Sequence, residues 1–461
     1  MTTTYEVQAS RDADLIALEA LSHGQSPTGL SLEAPETSPS IERWNQPRIN
    51  IYRTFATFWS FLVMGANDAA YGALIPYLES YYDLSYTIVS LVFLSPLVGY
   101  TAAAFLNHRI HYTFGQRGVA IIGPTCHLIA YIINCIHPPY PALVVSFIFA
   151  GLGNGLEDAA WNAWIGNMAN ANELLGVLHG IYGAGAVMSP LVATSMITKG
   201  GLSWYYFYYV MVGCAVIELG LSSACFWKSI AADFRASNAL SAHDDKKGGL
   251  RVALFARPAA RVTWLCALFL LGYVGVEVAL GGWIVTFMIR VRHGSAFASG
   301  MTATGFWLGI TVGRVILGFV TPRVGEKVAV SVSIVMVRER VETNFSQGYI
   351  VASMAFALVL WLVPQFYASA VAVSLQGFFL GPLFPGAVVM VTKLLPRHLH
   401  VTSIGFVAAF GGSGAAILPF AVGVLAQAKG VKVLQPFIIA LSGAILVTWL
   451  GLPRVSKIRN E

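Results

Sequence analysis

Charged residues are scarce in this chain: they make up 11% of its 461 residues, whereas hydrophobic residues make up 56%. A soluble protein of this length would have too little polar surface to cover itself. Cysteine is scarce too, and the five cysteines lie in or beside apolar runs without Cys-x-x-Cys spacing. These shortages argue against a soluble fold, a disulfide framework and a cysteine metal site, so lipid must cover much of the surface.

Motifs of enzymes and nucleic-acid binders are also missing from the sequence. There is no Gly-rich phosphate loop followed by Lys, no Cys/His metal spacing and no Gly-x-Ser-x-Gly elbow after a strand. The net charge of +6 comes from basic loops between apolar runs, which is typical of membrane topology rather than of nucleic-acid binding. We therefore predict that the protein is not an enzyme and uses no cofactor, metal ion or nucleic acid.

The sequence does contain a series of apolar runs of about 20 residues, the length that crosses about 30 Å of hydrocarbon. A membrane β-barrel would instead show segments of about ten residues with alternating hydrophobicity, and none is apparent. The predicted fold class is an all-α membrane protein with twelve transmembrane helices. The predicted spans are 52–78, 86–106, 118–136, 141–168, 174–198, 203–227, 262–288, 296–320, 328–363, 367–392, 400–426 and 434–452.

Polar intervals divide these runs into two groups of six. Residues 1–50 contain no apolar segment that could serve as a signal peptide, and they are predicted to be a disordered cytosolic tail. Residues 228–261 form the most basic loop, which the positive-inside rule assigns to the cytosol. We therefore expect six-helix bundles over 51–227 and 262–455, a short tail over 456–461, and both termini in the cytosol.

The ninth apolar run is interrupted by a charged segment that contains Arg338, Glu339, Arg340 and Glu342. Removing residues 332–347 would leave one helix of normal length. A Val codon begins with GT and a Gln codon can be CAG, which are the ends of an intron. We interpret this segment as a retained intron in the gene, which predicts that spliced transcripts without it predominate. The alternative is an excursion outside the lipid, because four charges within a bilayer would be very costly.

Two acidic residues, Asp68 and Glu157, each lie midway along an apolar run. An ionised carboxylate near the centre of a bilayer costs at least about 2.5 kcal/mol, so such groups usually face a watery cavity and take part in moving a solute or a proton. This placement predicts a membrane transporter.

The fourth helix carries further polar residues next to its acid. At 100° per residue, Asn154, Glu157 and Trp161 share one face, and Asp158 and Asn162 form a neighbouring stripe. An acid, an amide and an indole on one face suit a sugar, because the polar groups bind hydroxyls and the ring stacks on C–H faces. The alternative is a structural seam in which a protonated Glu157 bonds a neighbouring helix.

A weak internal repeat relates the two halves. The connection between helices two and three contains Arg109 and Arg117, and helix eight with the connection that follows contains Arg314 and Arg323, both among glycines. This pattern resembles the Gly-rich, Arg-containing loop motif of the major facilitator superfamily, although its usual acidic residue is not in place. The resemblance implies gating roles for the four arginines. The alternatives are ordinary basic loops and, for Arg314, either a snorkelling side chain or a partner for an acid across the bundle.

A sharper resemblance surrounds the two acids. An Asn67-Asp68 pair in the first helix and a Leu-Glu-x-Ala-Ala run in the fourth resemble the fucose:proton symporter branch of the same superfamily, and later segments are similar to its fungal members, including the bypass-of-stop-codon group. The resemblance covers about residues 50–455. It implies two six-helix bundles in the major facilitator fold, with Asp68 and Glu157 facing a central cavity and handling protons. Asn162 is displaced from the family position and no Pro follows it, which puts fucose itself in doubt.

The resemblance also draws the seventh helix into the predicted site, because this helix commonly lines the substrate path in the superfamily. Glu277 lies near its centre and Trp283 follows. We predict that Asn67, Asn154, Asp158, Trp161, Asn162, Glu277 and Trp283 contact substrate. For Glu277 the alternative is a neutral acid bonded within the protein. His127 and His179 are more often packing residues than proton carriers at such positions.

The predicted function is proton-coupled symport of a sugar or similar polyhydroxylated molecule by alternating access. A facilitator or exporter of another small metabolite, and a nutrient sensor that binds solute without moving it, remain alternatives. The expected partners are a small-molecule substrate, protons and the lipid bilayer, and we expect a monomer. The plasma membrane is the favoured location, with the vacuole or another internal membrane as the alternative.

Overall fold

A computed structural model of the chain describes residues 42–235, 249–331, 337–396 and 399–453. The side chains of residue 172 and of 249–250, 318–345 and 401–402 lie outside that description. Long helices dominate the described residues, and short connections join most of them.

Twelve long helices follow one another in these residues, and we number them α1 to α12. Helix α10 consists of two segments, and short helices at Tyr86–Val89, Gly249–Phe255 and Val431–Val433 precede α2, α7 and α12. The long helices are α1 Ile49–Tyr82, α2 Leu91–Phe114, α3 Gln116–Cys135, α4 Tyr140–Gly166, α5 Ala171–Thr198, α6 Tyr206–Phe226, α7 Ala259–Arg290, α8 Ala296–Ser331, α9 Val337–Leu362, α10 Phe366–Leu380 with Leu383–Leu394, α11 His400–Lys429 and α12 Leu434–Leu450.

Ten spans among the described residues are long and apolar enough to cross a membrane. The other two long helices are α1, which has 34 residues but a polar centre, and α9, whose apolar part is Ser346–Leu362. The predicted all-α membrane class is therefore confirmed. Helix α8 continues to Ser331, beyond its predicted end at 320. Residues 332–336, the first part of the segment that we interpret as a retained intron, lie outside the described residues. The retained-intron hypothesis stays a prediction that transcript sequencing can test.

Each half is held together by close helix pairs in which glycine permits backbone contact. In the N-terminal half α1 packs against α5, α2 against α4, and α3 against α4 and α6. A Cβ atom on Gly65 of α1 would lie 2.0 Å from the Tyr182 carbonyl oxygen of α5. The C-terminal half repeats this arrangement, because a Cβ atom on Gly414 of α11 would lie 2.0 Å from the Leu271 carbonyl oxygen of α7. Small residues thus bring the helices of each half together, as is usual within membranes.

The two halves meet along α1 with α7, α2 with α11 and α5 with α8. Much of this contact lies toward the ends where α1, α5, α7 and α11 finish. Glu79 and Arg290 form an ion pair there at 3.2 Å, and the backbone N–H of Tyr86 donates to Gln427 Oε1 at 2.8 Å. The halves are therefore closed together on the side of the membrane opposite to the one where α1 begins and α12 ends.

Candidate functional site

The carboxylate of Asp68 lies at the middle of α1 and receives hydrogen bonds from neutral donors on three helices. Its Oδ1 accepts from Asn67 Nδ2 at 3.0 Å and from Asn154 Nδ2 of α4 at 2.9 Å. Its Oδ2 accepts from the Tyr182 hydroxyl of α5 at 2.9 Å. The Asp68 side chain is partly exposed, and it forms no ion pair with any described residue. A carboxylate held only by neutral donors is able to bind and release a proton.

The approach of α1 to α5 explains this geometry. Gly65 lies against the Tyr182 backbone, and Gly185 of α5 approaches the Leu62 carbonyl oxygen so closely that a Cβ atom would lie 2.1 Å from it. Because glycines on both helices remove the Cβ atoms that would separate them, the Tyr182 hydroxyl reaches Asp68 directly. Asn67 is buried and also donates to the Tyr71 hydroxyl at 3.1 Å, so it orients Asp68 and offers little surface to a solute.

A chain of hydrogen bonds leads from Asp68 into the interior of the N-terminal half. Asn154 Oδ1 lies 2.9 Å from Nε2 of His127 on α3, and Nδ1 of the same ring lies 3.0 Å from Oε2 of Glu218 on α6. The side chains of His127 and Glu218 are completely buried. Asn154 therefore connects the partly exposed Asp68 to an ionisable pair that has no contact with solvent.

The structure corrects the prediction that Glu157 faces the same cavity as Asp68. Glu157 is completely buried, and it packs so closely on Gly123 of α3 that a Cβ atom there would lie 2.6 Å from Glu157 Cγ. One oxygen of Glu157 lies within 4.8 Å of the facing atoms of His127 and Glu218, and neither of its oxygens has a hydrogen-bond partner among the described residues. The helix-seam alternative is the closer description of its position.

Helix α4 turns the face that carries Glu157 toward the interior of the N-terminal half, so Trp161 on the same face also lies inside the bundle. Trp161 is completely buried and stacks on Phe226 of α6 with ring centroids 4.5 Å apart, so we correct its predicted contact with substrate. The neighbouring stripe is the accessible one, because Asp158 and Asn162 are both partly exposed. Asn162 Nδ2 donates to Asp158 Oδ1 at 2.8 Å, which leaves a carboxylate and an amide together on an accessible surface.

In the C-terminal half, the acid on α7 is paired with a cation. Arg314 of α8 donates to both oxygens of Glu277, at 2.9 and 3.1 Å, and to the carbonyl oxygen of Gly381 at 3.3 Å. Arg314 thus pairs with an acid of its own half. The Glu277 side chain is only 7% exposed, so the arginine, at 21%, is the more accessible member of the pair.

Trp283 does not lie where a substrate could reach it, which corrects another predicted contact. Its ring is completely buried between Phe93 and Tyr86, and its Nε1 donates to the Pro419 carbonyl oxygen of α11 at 2.9 Å. Because Phe93 and Tyr86 belong to the N-terminal half, Trp283 is part of the contact that closes the two halves together.

The predicted gating arginines have separate surroundings. Arg109 is exposed at the end of α2, and Arg117 lies over the Trp227 ring of its own half at 5.4 Å. Arg314 forms the ion pair with Glu277, and the side chain of Arg323 lies outside the described residues. A gating role for these residues stays a prediction.

Sequence reasoning missed Glu218 and Tyr182. Glu218 is an isolated acid within the sixth apolar run, so the signal that identified Asp68 was present for it as well. Tyr182 carries no such signal, because a tyrosine in an apolar helix is ordinary and only the approach of α5 to α1 brings its hydroxyl to Asp68. His127 was interpreted as a packing residue, yet both of its ring nitrogens have polar partners.

Two bundles of six helices that meet around polar side chains define a membrane transporter, and comparison with known proteins gives its family. The model of the Major Facilitator Superfamily matches residues 57–337, which is more than half of the chain. The chain therefore belongs to the major facilitator superfamily, a family of multi-pass membrane transporters.

Two curated relatives cover most of the chain. It is 28% identical over 424 residues to Bypass of stop codon protein 6 of Saccharomyces cerevisiae, covering 87% of this chain and 82% of that protein. It is 23% identical over 375 residues to the Glucose/mannose transporter GlcP of Bacillus subtilis, covering 79% of this chain and 85% of that one. The resemblance to the fungal bypass-of-stop-codon group agrees with the first of these, and membership of the fucose:proton symporter branch stays a prediction.

Solved structures share the fold at low sequence identity. A crystal structure of a D-xylose-proton symporter superposes with a TM-score of 0.67 at 14% identity, covering 88% of this chain and 98% of that one. A peptide transporter in complex with sulfate superposes with a TM-score of 0.64, also at 14% identity, covering 86% of this chain and 93% of that one. These similarities confirm the predicted twelve-helix major facilitator fold.

Proposed function

We propose that the protein is a proton-coupled symporter of a sugar or similar polyhydroxylated molecule. The observation that carries this proposal is the carboxylate of Asp68, which is partly exposed and, among the described residues, bonded only to Asn67, Asn154 and Tyr182. Because no described cation pairs with it, Asp68 is suited to take up a proton on one side of the membrane and to release it on the other. Its position in the first helix of one half lets the relative movement of the halves change its access to water.

The proposed substrate surface consists of hydroxyl, amide and carboxyl groups. Tyr100, Asp158, Asn162 and Tyr182 of the N-terminal half are partly exposed, and so is Arg314 of the C-terminal half. Helix α5, which carries Tyr182, packs against α8, which carries Arg314, and this supports a site between the halves. Such donors and acceptors match the many hydroxyls of a sugar. The relatives named for glucose, mannose and xylose transport support this substrate class.

The proposed cycle uses the contacts that close the halves on one side. Asp68 binds a proton and substrate binds beside it while those contacts are open. The halves then rock, Glu79 meets Arg290, and Trp283 packs against Tyr86 and Phe93 of the other half. We propose that the termini are cytosolic, so the closed side is the outer one and the opposite side releases substrate and proton to the cytosol.

The proposal is tested in liposomes that contain the purified protein and a dye for internal pH. Among a panel of labelled sugars and polyols, a transported solute should carry protons with it, so adding it outside should acidify the interior. An ionophore that collapses the pH gradient should abolish accumulation and leave exchange of labelled for unlabelled solute intact. Solute movement without proton movement would indicate a facilitator, and solute binding without movement would indicate a sensor. Either result would overturn symport.

A further inference from the structure

Three ionisable side chains from different helices meet inside the N-terminal half, away from the surface between the halves. They are His127 of α3, Glu157 of α4 and Glu218 of α6, and we call them the buried triad. One facing nitrogen or oxygen atom from each lies within 4.8 Å of those of the other two, and all three side chains are completely buried. Their only ion pair among the described residues is the one between His127 and Glu218.

The charges of the buried triad do not balance without bound protons. If both glutamates were ionised and the imidazole were neutral, two negative charges would lie in a space without water, which is very unfavourable. A proton on His127 would compensate Glu218 and leave Glu157 as an unpaired carboxylate. Both oxygens of Glu157 and Oε1 of Glu218 are buried and have no hydrogen-bond partner in the part of the chain that the structure describes. A proton held between the two glutamates removes the remaining charge and gives one oxygen of each glutamate a partner.

Asn154 links the buried triad to Asp68 in a defined direction. Its Nδ2 donates to Asp68, so its Oδ1 is the atom left to accept from His127 Nε2. That nitrogen must therefore carry hydrogen, and Nδ1 is the ring atom that faces Glu218. A change in the charge of Asp68 thus acts on the imidazole through one amide group.

We propose that the buried triad is a second proton-binding site, distinct from Asp68, and that it holds a proton at neutral pH. Its role in coupling rests on the proposed symport, whereas the binding of the proton does not. If the site also releases its proton during the cycle, transport involves two protonation events. Other polar or titratable groups also face the triad from the surrounding helices. They are Ser60 of α1, Cys126 and Tyr131 of α3, and Cys214 of α6. Asp68 of α1 reaches the triad through Asn154.

Infrared spectroscopy of the purified full-length protein at neutral pH tests the bound proton. The carbonyl band of protonated carboxylic acids should be present, and Glu157→Gln should remove one component of it. Asp68→Asn should retain this component, and so should Glu173→Gln, which makes the same chemical change at an exposed glutamate on α5. The proposal is wrong if Glu157→Gln leaves the band unchanged.

The pH dependence of stability gives a second measurement that does not require transport. The folded triad holds a proton that an unfolded glutamate, which titrates near about 4.3, would release at neutral pH. Unfolding therefore releases a proton, and stability should fall as pH rises between about 5 and 8. Glu157→Gln should make this slope shallower, whereas Glu173→Gln should keep that of the wild type. An unchanged slope in Glu157→Gln would overturn the proposal even if that variant no longer transports.

Elemental analysis of the same purified protein distinguishes a proton from a metal ion. A divalent cation bound at one per chain, and lost in Glu157→Gln, would supply the missing positive charge and overturn the proposal.

Transport assays separate this site from the proposed function. If the infrared band has a component that depends on Glu157, but the protein moves solute without protons, the second proton-binding site is supported and the symport proposal is refuted.

Discussion

The two halves of the molecule treat their buried acids differently. In the C-terminal half Glu277 is bonded to Arg314 at 2.9 Å, so its negative charge is compensated by a cation. In the described part of the N-terminal half Asp68 has only neutral donors, and Glu157 and Glu218 share a single histidine. A nearby cation stabilises the charged form of an acid, whereas an acid without one binds a proton more readily. The fold is repeated in the two halves, and under the proposed symport proton handling belongs to the first.

The largest effect expected from this comparison follows removal of the cation in the C-terminal half. Arg314→Ala leaves Glu277 buried and unpaired, which should destabilise the protein by about 3 kcal/mol. Adding Glu277→Gln to this variant should restore most of the loss, because no unpaired charge then remains. Unfolding in detergent measures both variants. If the second substitution restores nothing, the pair does not compensate charge in the way that the geometry indicates.

A second prediction concerns accumulation driven by the N-terminal acids. A pH difference of one unit is worth about 1.4 kcal/mol, so coupling to one proton can concentrate an uncharged solute about tenfold. Glu157→Gln keeps the shape of the side chain and removes its proton chemistry, so exchange of labelled for unlabelled solute should survive while accumulation disappears. Counterflow and uptake in liposomes measure the two activities. Retained accumulation would exclude Glu157 from coupling.

Glycine contacts within and between the halves should respond differently to the same substitution. Gly65→Ala forces a Cβ atom against the Tyr182 carbonyl within one half, and it should lower stability by about 1–3 kcal/mol. Gly72→Ala forces a Cβ atom against the Gly281 carbonyl of the other half, so this substitution should disfavour the closed arrangement of the two halves. Labelling of a cysteine introduced at Ser90, which is buried against Gly423 of the other half, should then become faster. Gly220→Ala, with open space around its Cβ position, is the control that should change neither property.

The smallest expected effect is at the ion pair that joins the halves. Arg290 is 53% exposed, so its pair with Glu79 is worth about 0–1 kcal/mol. Glu79→Gln should therefore raise labelling of a cysteine at the buried Ser90 position by no more than a few-fold, and less at high salt. A large change would mean that this pair, rather than the packing of Trp283 and the glycines, holds the halves together.

Sequence patterns predicted the helices well because each one must satisfy its own backbone hydrogen bonds while crossing lipid. Helix α4 was predicted at 141–168 and is observed at Tyr140–Gly166, and α7 was predicted at 262–288 and is observed at Ala259–Arg290. The largest departures are at α2, which was predicted to end at 106 and ends at Phe114, and in the region of α8 and α9, where the charged segment obscured the apolar pattern. Hydropathy marks where lipid surrounds a helix, and it gives no signal where a helix continues beyond the lipid.

The candidate site was only partly predictable. The isolated acid Asp68 was identified because an acid among apolar residues is costly in lipid. Periodicity placed Asn154, Glu157 and Trp161 on one face of α4, and it gave their relative angles correctly. It could not say which face of α4 meets the other half, so Glu157 and Trp161 were assigned to the cavity although they lie inside the bundle. The rotation of a helix is fixed by packing between helices distant in sequence, such as α4 with α2 and α3.

The most direct test of proton binding by Asp68 during transport is the pH profile of solute uptake in Asp68→Asn. The control is Asp83→Asn, an exposed position just beyond the end of the same helix, where asparagine tolerates the left-handed backbone at φ 52°. We predict that uptake by the wild type and the control rises at acidic external pH, and that Asp68→Asn shows low uptake with a flat pH profile. If Asp68→Asn keeps the profile of the wild type, Asp68 does not carry the proton.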